Sequence, residues 1–154
     1  LRLSPASAAD LPALVALYAD TRAEELAAVP WPDVLRRSFL EQQFRLQHQH
    51  YVGHYPGADF LVVAGAGGIA GRFYLVREAP EHLVVDISFF AGWRGRGLGR
   101  ALLEAAQREA AARGRGLGLH VHRTNPRARA LYLRLGFVPD GGNDSHERMA
   151  WRAA

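Results

Sequence analysis

The spacing of apolar side chains separates a helical first third of the chain from a strand-rich remainder. Over residues 8–28 the larger apolar residues recur three to four positions apart, which predicts an amphipathic helix. A Pro-Trp-Pro stretch at residues 30–32 interrupts this pattern, and Asp33 is placed to cap a second helix that ends before the Pro-Gly pair at residues 56–57. From residue 58 onward the apolar period falls to two, which indicates β-strands.

Five strands and two further helices are predicted in the remainder. The predicted strands cover residues 60–64, 69–76, 83–90, 117–122 and 147–151, and the predicted helices cover residues 97–113 and 125–136. Strand 83–90, the helix that follows it and strand 117–122 form a βαβ unit, whose two strands should lie parallel with a right-handed crossover. We therefore predict an α/β or α+β fold, with a mixed sheet and helices on both faces, as one domain over residues 1–154.

Composition excludes several kinds of chemistry. The chain is 49% hydrophobic and 22% charged, as in an ordinary globular protein. It has no Cys, which excludes disulfides, thiolate metal ligands and a cysteine nucleophile. No run of about 18 apolar residues predicts a membrane helix, and the first residues lack a signal-peptide pattern, so we expect a cytoplasmic protein with no membrane partner. The first residue is not Met, which leaves a start further upstream open.

The basic charge of the chain comes from arginine alone. All 19 basic residues are Arg, and the net charge is +4. Arg never deprotonates in proteins and binds phosphates and carboxylates through two parallel hydrogen bonds. A net positive charge of this kind is typical of proteins that bind nucleic acid, a membrane surface or a small polyphosphate ligand. A GC-rich genome is the alternative explanation for so many arginines. The positions of the arginines therefore decide what the charge means.

The glycine-rich turn at residues 94–100 carries the strongest chemical signal. Glycines at positions 95, 97 and 99 allow the backbone to approach a ligand closely. The turn leads directly into a predicted helix, so unpaired N–H groups and the positive end of the helix dipole meet there. Arg94, Arg96 and Arg100 add three permanent positive charges. We therefore predict a pyrophosphate-binding site.

Two common phosphate-binding loops do not fit this turn. A Walker A loop requires Lys, and the chain has none. A dinucleotide-binding domain requires an acidic residue at the end of its second strand, where this chain has His-Val-His-Arg at residues 120–123. The first strand of the βαβ unit also lies past the middle of the chain, which leaves no room for the remaining units of such a domain. A different phosphate ligand is therefore expected.

Two motifs resemble the GNAT superfamily of acetyl-CoA-dependent N-acetyltransferases. Residues 93–99, Trp-Arg-Gly-Arg-Gly-Leu-Gly, are similar to the family's Arg-x-x-Gly-x-Gly coenzyme loop. Asn125, Ala128, the Leu-Tyr pair at 131–132 and the Gly-Phe pair at 136–137 match every anchored position of its second signature, Asn-x-x-Ala-x-x-Leu-Tyr-x-x-x-Gly-Phe. The resemblance covers residues 60–151 well. It implies a single domain with a central, mostly antiparallel sheet that splays between the two parallel strands of the βαβ unit.

The resemblance also implies where acetyl-CoA, the cosubstrate, would bind. The pantetheine arm would pair with the main chain of Phe89 and Ala91, where the family usually has Pro at the second position, and the pyrophosphate would lie on the amides of residues 96–100. The implied coenzyme residues are Phe89, Phe90, Ala91, Arg94, Arg96, Gly97, Leu98, Gly99, Arg100, Asn125 and Ala128. Asn125 is equally well explained as a helix N-cap, and both roles are compatible. No metal is implied.

Transfer in this family would be direct, with the substrate amine attacking the thioester and no acyl-enzyme. The departing CoA thiolate needs a proton, and Tyr132 is implied as the general acid. A tyrosine phenol has a pKa of about 10 and stays protonated at neutral pH, which suits that task. The alternative is that Tyr132 is an amphipathic core residue.

A base is required when the acceptor amine is protonated at neutral pH. Period-two counting places Asp86 on the polar face of strand 83–90, and His120 and His122 on the polar face of strand 117–122. If these strands are neighbours, the three side chains meet in one cleft, and Asp86 is the favoured base. The alternatives are a satisfied buried carboxylate and histidines that serve in strand packing.

The acceptor is expected to be a primary amine on a small molecule or peptide. By resemblance, the first two helices wall its side of the site, and the candidate substrate residues are Trp31, Phe39, Gln43, Gln47, Tyr51, His120 and His122. A homodimer is common in such families.

A metal enzyme is disfavoured although His50 and His54 lie one helical turn apart. The other function classes are an acyl-CoA sensor without catalysis and an arginine-rich nucleic-acid binder, the latter disfavoured because no aromatic platform accompanies Arg127, Arg129 and Arg134.

Overall fold

Seven strands and five helices make up the chain, and the computed structural model describes all of residues 1–154. The strands are β1 (Arg2–Pro5), β2 (Asp59–Gly65), β3 (Gly68–Arg77), β4 (Glu81–Phe89), β5 (Gly116–His122), β6 (Val138–Gly142) and β7 (His146–Trp151). The helices are α1 (Leu11–Thr21), α2 (Ala23–Ala27), α3 (Asp33–His54), α4 (Leu98–Ala112) and α5 (Pro126–Arg134). The strands form one sheet in the order β1-β2-β3-β4-β5-β7-β6.

The sheet is mixed, as predicted. β1 with β2, β5 with β7 and β6 with β7 pair antiparallel, whereas β4 and β5 pair parallel around the crossover helix α4. The parallel register runs from Glu81 opposite Gly116 to Val84 opposite Leu119, although β4 itself continues to Phe89. The parallel pairing therefore covers only the first half of β4, and the predicted splay of the βαβ unit stays a prediction.

One compact unit consists of Leu1–Tyr74 with Asp86–Arg96. Its core packs α1 and α3 against β2. The buried residues within each of these two helices lie one helical turn apart, as on the apolar face of an amphipathic helix. The buried members of this cluster are Leu14, Tyr18, Leu26, Leu40, Phe44 and Val62. The apolar period of residues 8–28 therefore does bury one face, as the sequence predicts.

The other compact unit consists of Leu75–Val85 with Gly97–Ala154. α4 contacts β5 and presents buried residues three and four positions apart, at Leu103, Ala106 and Ala110. The buried amide of Gln107 donates from its Nε2 atom to the Leu135 carbonyl oxygen over 2.9 Å, so this polar group is satisfied inside the unit.

Several predicted boundaries are wrong. The helix expected over residues 8–28 is a 3-10 turn at Ala8–Asp10 followed by α1 and α2, which are separated at Arg22. Asp33 is the first residue of α3 rather than its cap, which is Pro32. β1 and β6 were not predicted because β1 has only four residues and β6 is exposed at every position, so neither shows an apolar alternation. No helix combines the length and apolarity needed to span a membrane.

Candidate active site

Two of the three glycines in the glycine-rich turn have a left-handed backbone conformation. Gly95 has φ of 74° and Gly97 has φ of 78°, and Gly97 is the N-cap of α4. A Cβ added at Gly97 would meet no atom within 4 Å, so glycine is required there for its backbone conformation and not for space. Because the first N–H groups of a helix have no intrahelical partner, the start of α4 presents free donors to an anion.

Each of the three arginines of the turn contacts a residue that is nearby in the sequence. The Arg96 guanidinium lies 4.8 Å from the centre of the Trp93 ring, and Arg100 Nε lies 3.3 Å from Glu104 Oε1. Arg94 Nε donates to the Phe89 carbonyl oxygen over 3.0 Å. Each of the three guanidinium groups therefore already has a partner within the protein.

Asp20 at the end of α1 contacts the segment that precedes the turn. Its Oδ2 atom accepts the backbone N–H of Ala91 at 2.8 Å and lies 3.3 Å from Arg94 Nη2. A Pro at position 91 has no N–H, whereas Ala91 has one that requires an acceptor. This role of Asp20 was not predicted, because Asp20 and Ala91 are 71 positions apart in the sequence and no motif links them.

α5 places the second motif. Asn125 Oδ1 accepts the backbone N–H of Ala128 at 3.1 Å, and Pro126 follows at the first helical position, so the predicted N-cap is confirmed. Tyr132 lies on the last turn of α5, with 8% of its surface exposed and its ring centre 6.0 Å from that of Phe137 in an edge contact. The coenzyme contact of Asn125 and the acid role of Tyr132 stay predictions.

Three residues predicted for the base and the acceptor side lie in one hydrogen-bonded cluster. Tyr51 on α3 donates its phenolic hydrogen to Asp86 Oδ2 over 3.0 Å. Arg72 Nη2 on β3 donates to the same carboxylate oxygen over 2.8 Å and to Gln47 Oε1 over 2.7 Å. We call these four residues, Gln47, Tyr51, Arg72 and Asp86, the Asp86 cluster. Arg72 was not predicted as a site residue. The only indication in the sequence is that this charged residue lies inside an otherwise apolar strand.

The Asp86 cluster is partly buried, with Arg72 its most buried member. The side chain of Arg72 is 4% exposed and that of Asp86 is 15% exposed. The guanidinium also lies 5.1 Å from the ring centre of Tyr74 and 5.8 Å from that of Phe44. Burial opposes the charge of Arg72, but the Asp86 carboxylate and the nearby tyrosines raise the pKa of its guanidinium. Burial, and then the charge of Asp86, raise the pKa of the Tyr51 phenol, which keeps it a donor.

The other candidate residues lie outside these contacts. Trp31 and Phe39 meet edge to face with ring centres 5.1 Å apart, and Gln43 is half-buried on α3. His120 and His122 are exposed on β5, and His122 Nδ1 lies 2.6 Å from Thr124 Oγ1. The predicted meeting of Asp86 with these histidines stays a prediction, since its described partners come from α3 and β3.

A family model decides what these motifs belong to. Residues 13–137 match the model of the acetyltransferase (GNAT) family, which is more than half of the chain. The chain belongs to the GNAT acetyltransferase family. The resemblance of the two motifs is thereby confirmed, and so is the coarse expectation of an acyltransferase. No group of three or more His, Cys, Asp and Glu residues is arranged to hold a metal ion in this acetyltransferase.

Solved structures share the fold of this GNAT protein over nearly its whole length. PaiA N-acetyltransferase from Thermoplasma acidophilum, in complex with coenzyme A, is 17% identical, with a TM-score of 0.73 over 99% of this chain and 98% of that one. Histone acetyltransferase HPA2 and related acetyltransferase from Corynebacterium glutamicum is 24% identical, with a TM-score of 0.67 over 99% and 96%. A spermidine N-acetyltransferase SpeG chimera from Vibrio cholerae and hSSAT is 23% identical, with a TM-score of 0.63 over 99% and 96%. None of the curated proteins matches the sequence.

Proposed function

We propose that this protein is an acetyl-CoA-dependent N-acetyltransferase that transfers the acetyl group directly to a primary amine. The observation that carries the proposal is the left-handed Gly97 at the N-cap of α4, which directs free backbone N–H groups at one place beside three arginines. Family membership supports the acetyl transfer, and the coenzyme A bound by the T. acidophilum neighbour supports the choice of ligand.

The pyrophosphate of the coenzyme would accept hydrogen bonds from the amides of residues 96–100. The pantetheine amides would pair with the main chain at Phe89 and Ala91. In the structure these two groups already have partners, since Arg94 contacts the Phe89 carbonyl oxygen and Asp20 accepts the Ala91 N–H. Binding of the coenzyme at these two groups therefore exchanges side-chain contacts for contacts with pantetheine.

The chemistry requires one proton to leave the amine and one to reach the sulfur. The amine nitrogen attacks the thioester carbonyl carbon, and the carbon–sulfur bond breaks to release CoA as a thiolate. Asp86 accepts the proton that leaves the amine, directly or through water, and Tyr132 donates its phenolic proton to the thiolate. Proton exchange with solvent then restores the Asp86 carboxylate and the Tyr132 phenol. A positioned general acid of this kind contributes about 10²–10⁴ to the rate. The products are an amide and CoA thiol.

The test is thiol release from acetyl-CoA in the presence of an amine panel. The panel contains a polyamine, free amino acids, an aminoglycoside and a peptide with a free N-terminus, and mass spectrometry identifies the acetylated product. We expect thiol release that depends on at least one amine. Coenzyme binding without turnover on any amine would favour an acyl-CoA sensor. Absence of calorimetric binding of CoA and acetyl-CoA at millimolar concentration would contradict the proposal altogether.

A further inference from the structure

The Asp86 cluster contains a buried cation that neither motif of the family predicts. Arg72 lies on β3 among residues that are themselves buried, from Ala70 to Val76. Its Nη2 atom donates hydrogen bonds both to Gln47 on α3 and to Asp86 on β4. The guanidinium therefore ties the helix and two strands of one unit together at the proposed base.

We propose that Arg72 is a positioning residue that holds the Asp86 carboxylate in one orientation, with Oδ2 anchored and the other oxygen left for the acceptor amine. This inference rests on the proposed function. Both described contacts of the carboxylate, from Tyr51 and from Arg72, reach Oδ2. Asp86 is also more exposed than Arg72, at 15% against 4%, so the acid and not the guanidinium is the member that an acceptor meets.

Stability alone does not explain an arginine at this position. A buried ion pair costs so much desolvation that apolar residues of similar size are often equally stable or better. The cost is not offset by a full set of hydrogen bonds here, because the buried Nε and Nη1 atoms of Arg72 make no hydrogen bond of ordinary length and angle. They lie among the rings of Phe44 and Tyr74. A buried cation kept under these conditions indicates a role in orienting its partner.

Arg72 also cancels the charge of Asp86. The cluster holds one cation and one anion, and its other two members are uncharged, because burial raises the pKa of Tyr51 and Gln47 has no charge. A multiply charged amine therefore gains no net attraction from the cluster in the wild-type protein. Without Arg72, the Asp86 carboxylate loses the cation that compensates it, and a lone buried charge is unfavourable.

The experiment compares Arg72→Met and Arg72→Lys with Arg77→Met, in the full chain and with an amine that the wild type acetylates. Arg77 is the matched control because it lies on the same strand and forms a half-buried ion pair with Glu109. We expect Arg72→Met to lower kcat by about 10²-fold, as misplacement of a reacting group does. We expect Arg72→Lys to recover part of this loss, and Arg77→Met to retain wild-type kcat.

The pH dependence of kcat/KM is the second measurement. A purely structural role of Arg72 would leave it unchanged. The titratable and charged groups that face Asp86 are Tyr51 from α3, and Arg72 and Tyr74 from β3. We expect the ascending limb of kcat/KM to move to higher pH in Arg72→Met, and to stay in place in Arg77→Met. Calorimetric binding of CoA should match the wild type in both variants, which shows that they are folded.

Each result decides the inference. If Arg72→Met and Arg77→Met have the same kcat, KM and pH profile, Arg72 does not position Asp86. If Arg72→Met fails to fold, Tyr51→Phe replaces it, since this variant removes the second anchor of Oδ2, and an unchanged kcat and pH profile in Tyr51→Phe overturns the inference. If the wild type acetylates no amine, the proposed function itself is wrong. That result differs from the two preceding ones, in which the wild type is active and only the role of Arg72 is contradicted.

Discussion

At the scale of single residues, Tyr132 is the side chain on which the proposed proton transfer depends. It lies on the last turn of α5 and is largely buried against Phe137. Replacing Tyr132 by Phe removes one oxygen and keeps the ring, so packing is preserved. We expect kcat to fall by about 10²-fold or more, with unchanged calorimetric affinity for CoA. Steady-state kinetics with acetyl-CoA measure the effect, and wild-type turnover in Tyr132→Phe would remove Tyr132 from the mechanism.

Residue-scale prediction from the sequence succeeded for the helix cap Asn125 and failed for residues whose only signal is a spatial partner. Asn125 was expected as an N-cap and its Oδ1 atom accepts the Ala128 N–H. Asp20 and Arg72 were not expected, because their partners lie 71 and 14 positions away along the chain. Hydrogen bonds of this kind depend on which elements are neighbours, and spacing in one element carries no information about that.

At the scale of elements, the start of α4 depends on the backbone of Gly97. An Ala at this position has to adopt a positive φ, which costs about 1–2 kcal/mol for an L-residue. We expect Gly97→Ala to relax into another backbone conformation, to turn the free N–H groups away and to weaken CoA binding by at least about tenfold, or 1.4 kcal/mol. Isothermal titration calorimetry measures this change.

Gly92 is the matched control for this element. It lies in the 3-10 turn Ala91–Trp93, a Cβ added there meets no atom within 4 Å, and its φ is not positive. We expect Gly92→Ala to bind CoA as the wild type does. Equal weakening in both variants would show that added bulk near the turn, and not its backbone conformation, controls binding.

The N-cap of α5 supports the helix that carries Tyr132. Removing the Asn125 side chain leaves the Ala128 N–H without its acceptor, so we expect Asn125→Ala to lower the free energy of unfolding by about 1 kcal/mol. Ser is also a good cap, and we expect Asn125→Ser to stay within about 0.5 kcal/mol of the wild type. Urea denaturation measures both. If the two variants lose the same stability, the cap is not what Asn125 contributes.

At the scale of the whole molecule, a buried histidine makes stability depend on pH. His82 is 0% exposed, and burial lowers the pKa of its imidazole, with Arg115, Arg113 and Arg77 adding to the effect and Glu109 opposing it. The folded protein therefore binds this proton less readily than the unfolded chain, whose histidine has a pKa near 6.5. This contribution to stability is complete above that value and is lost as the pH falls below it.

We therefore expect the free energy of unfolding to fall below about pH 6.5, by at most about 1.4 kcal/mol per pH unit for this one proton. Denaturant titrations from pH 5 to 8 measure the slope. The matched variant is His82→Gln, which cannot take up a proton and should show a shallower dependence over this range. If His82→Gln and the wild type have the same slope, other groups cause it.

Hydrophobic period and turn chemistry were sufficient to predict most elements, the βαβ unit and the coenzyme motif, because these are properties of short stretches of chain. The two short exposed strands, β1 and β6, were missed because their register comes from pairing with β2 and β7 and not from their own pattern. The sequence by itself thus determined the family, and the predicted roles of residues 94–100 and of Tyr132 rest on its two motifs. Only the tertiary structure decided that Arg72 and Tyr51 converge on Asp86, because that convergence requires a helix and two strands to become neighbours before any of these atoms can meet.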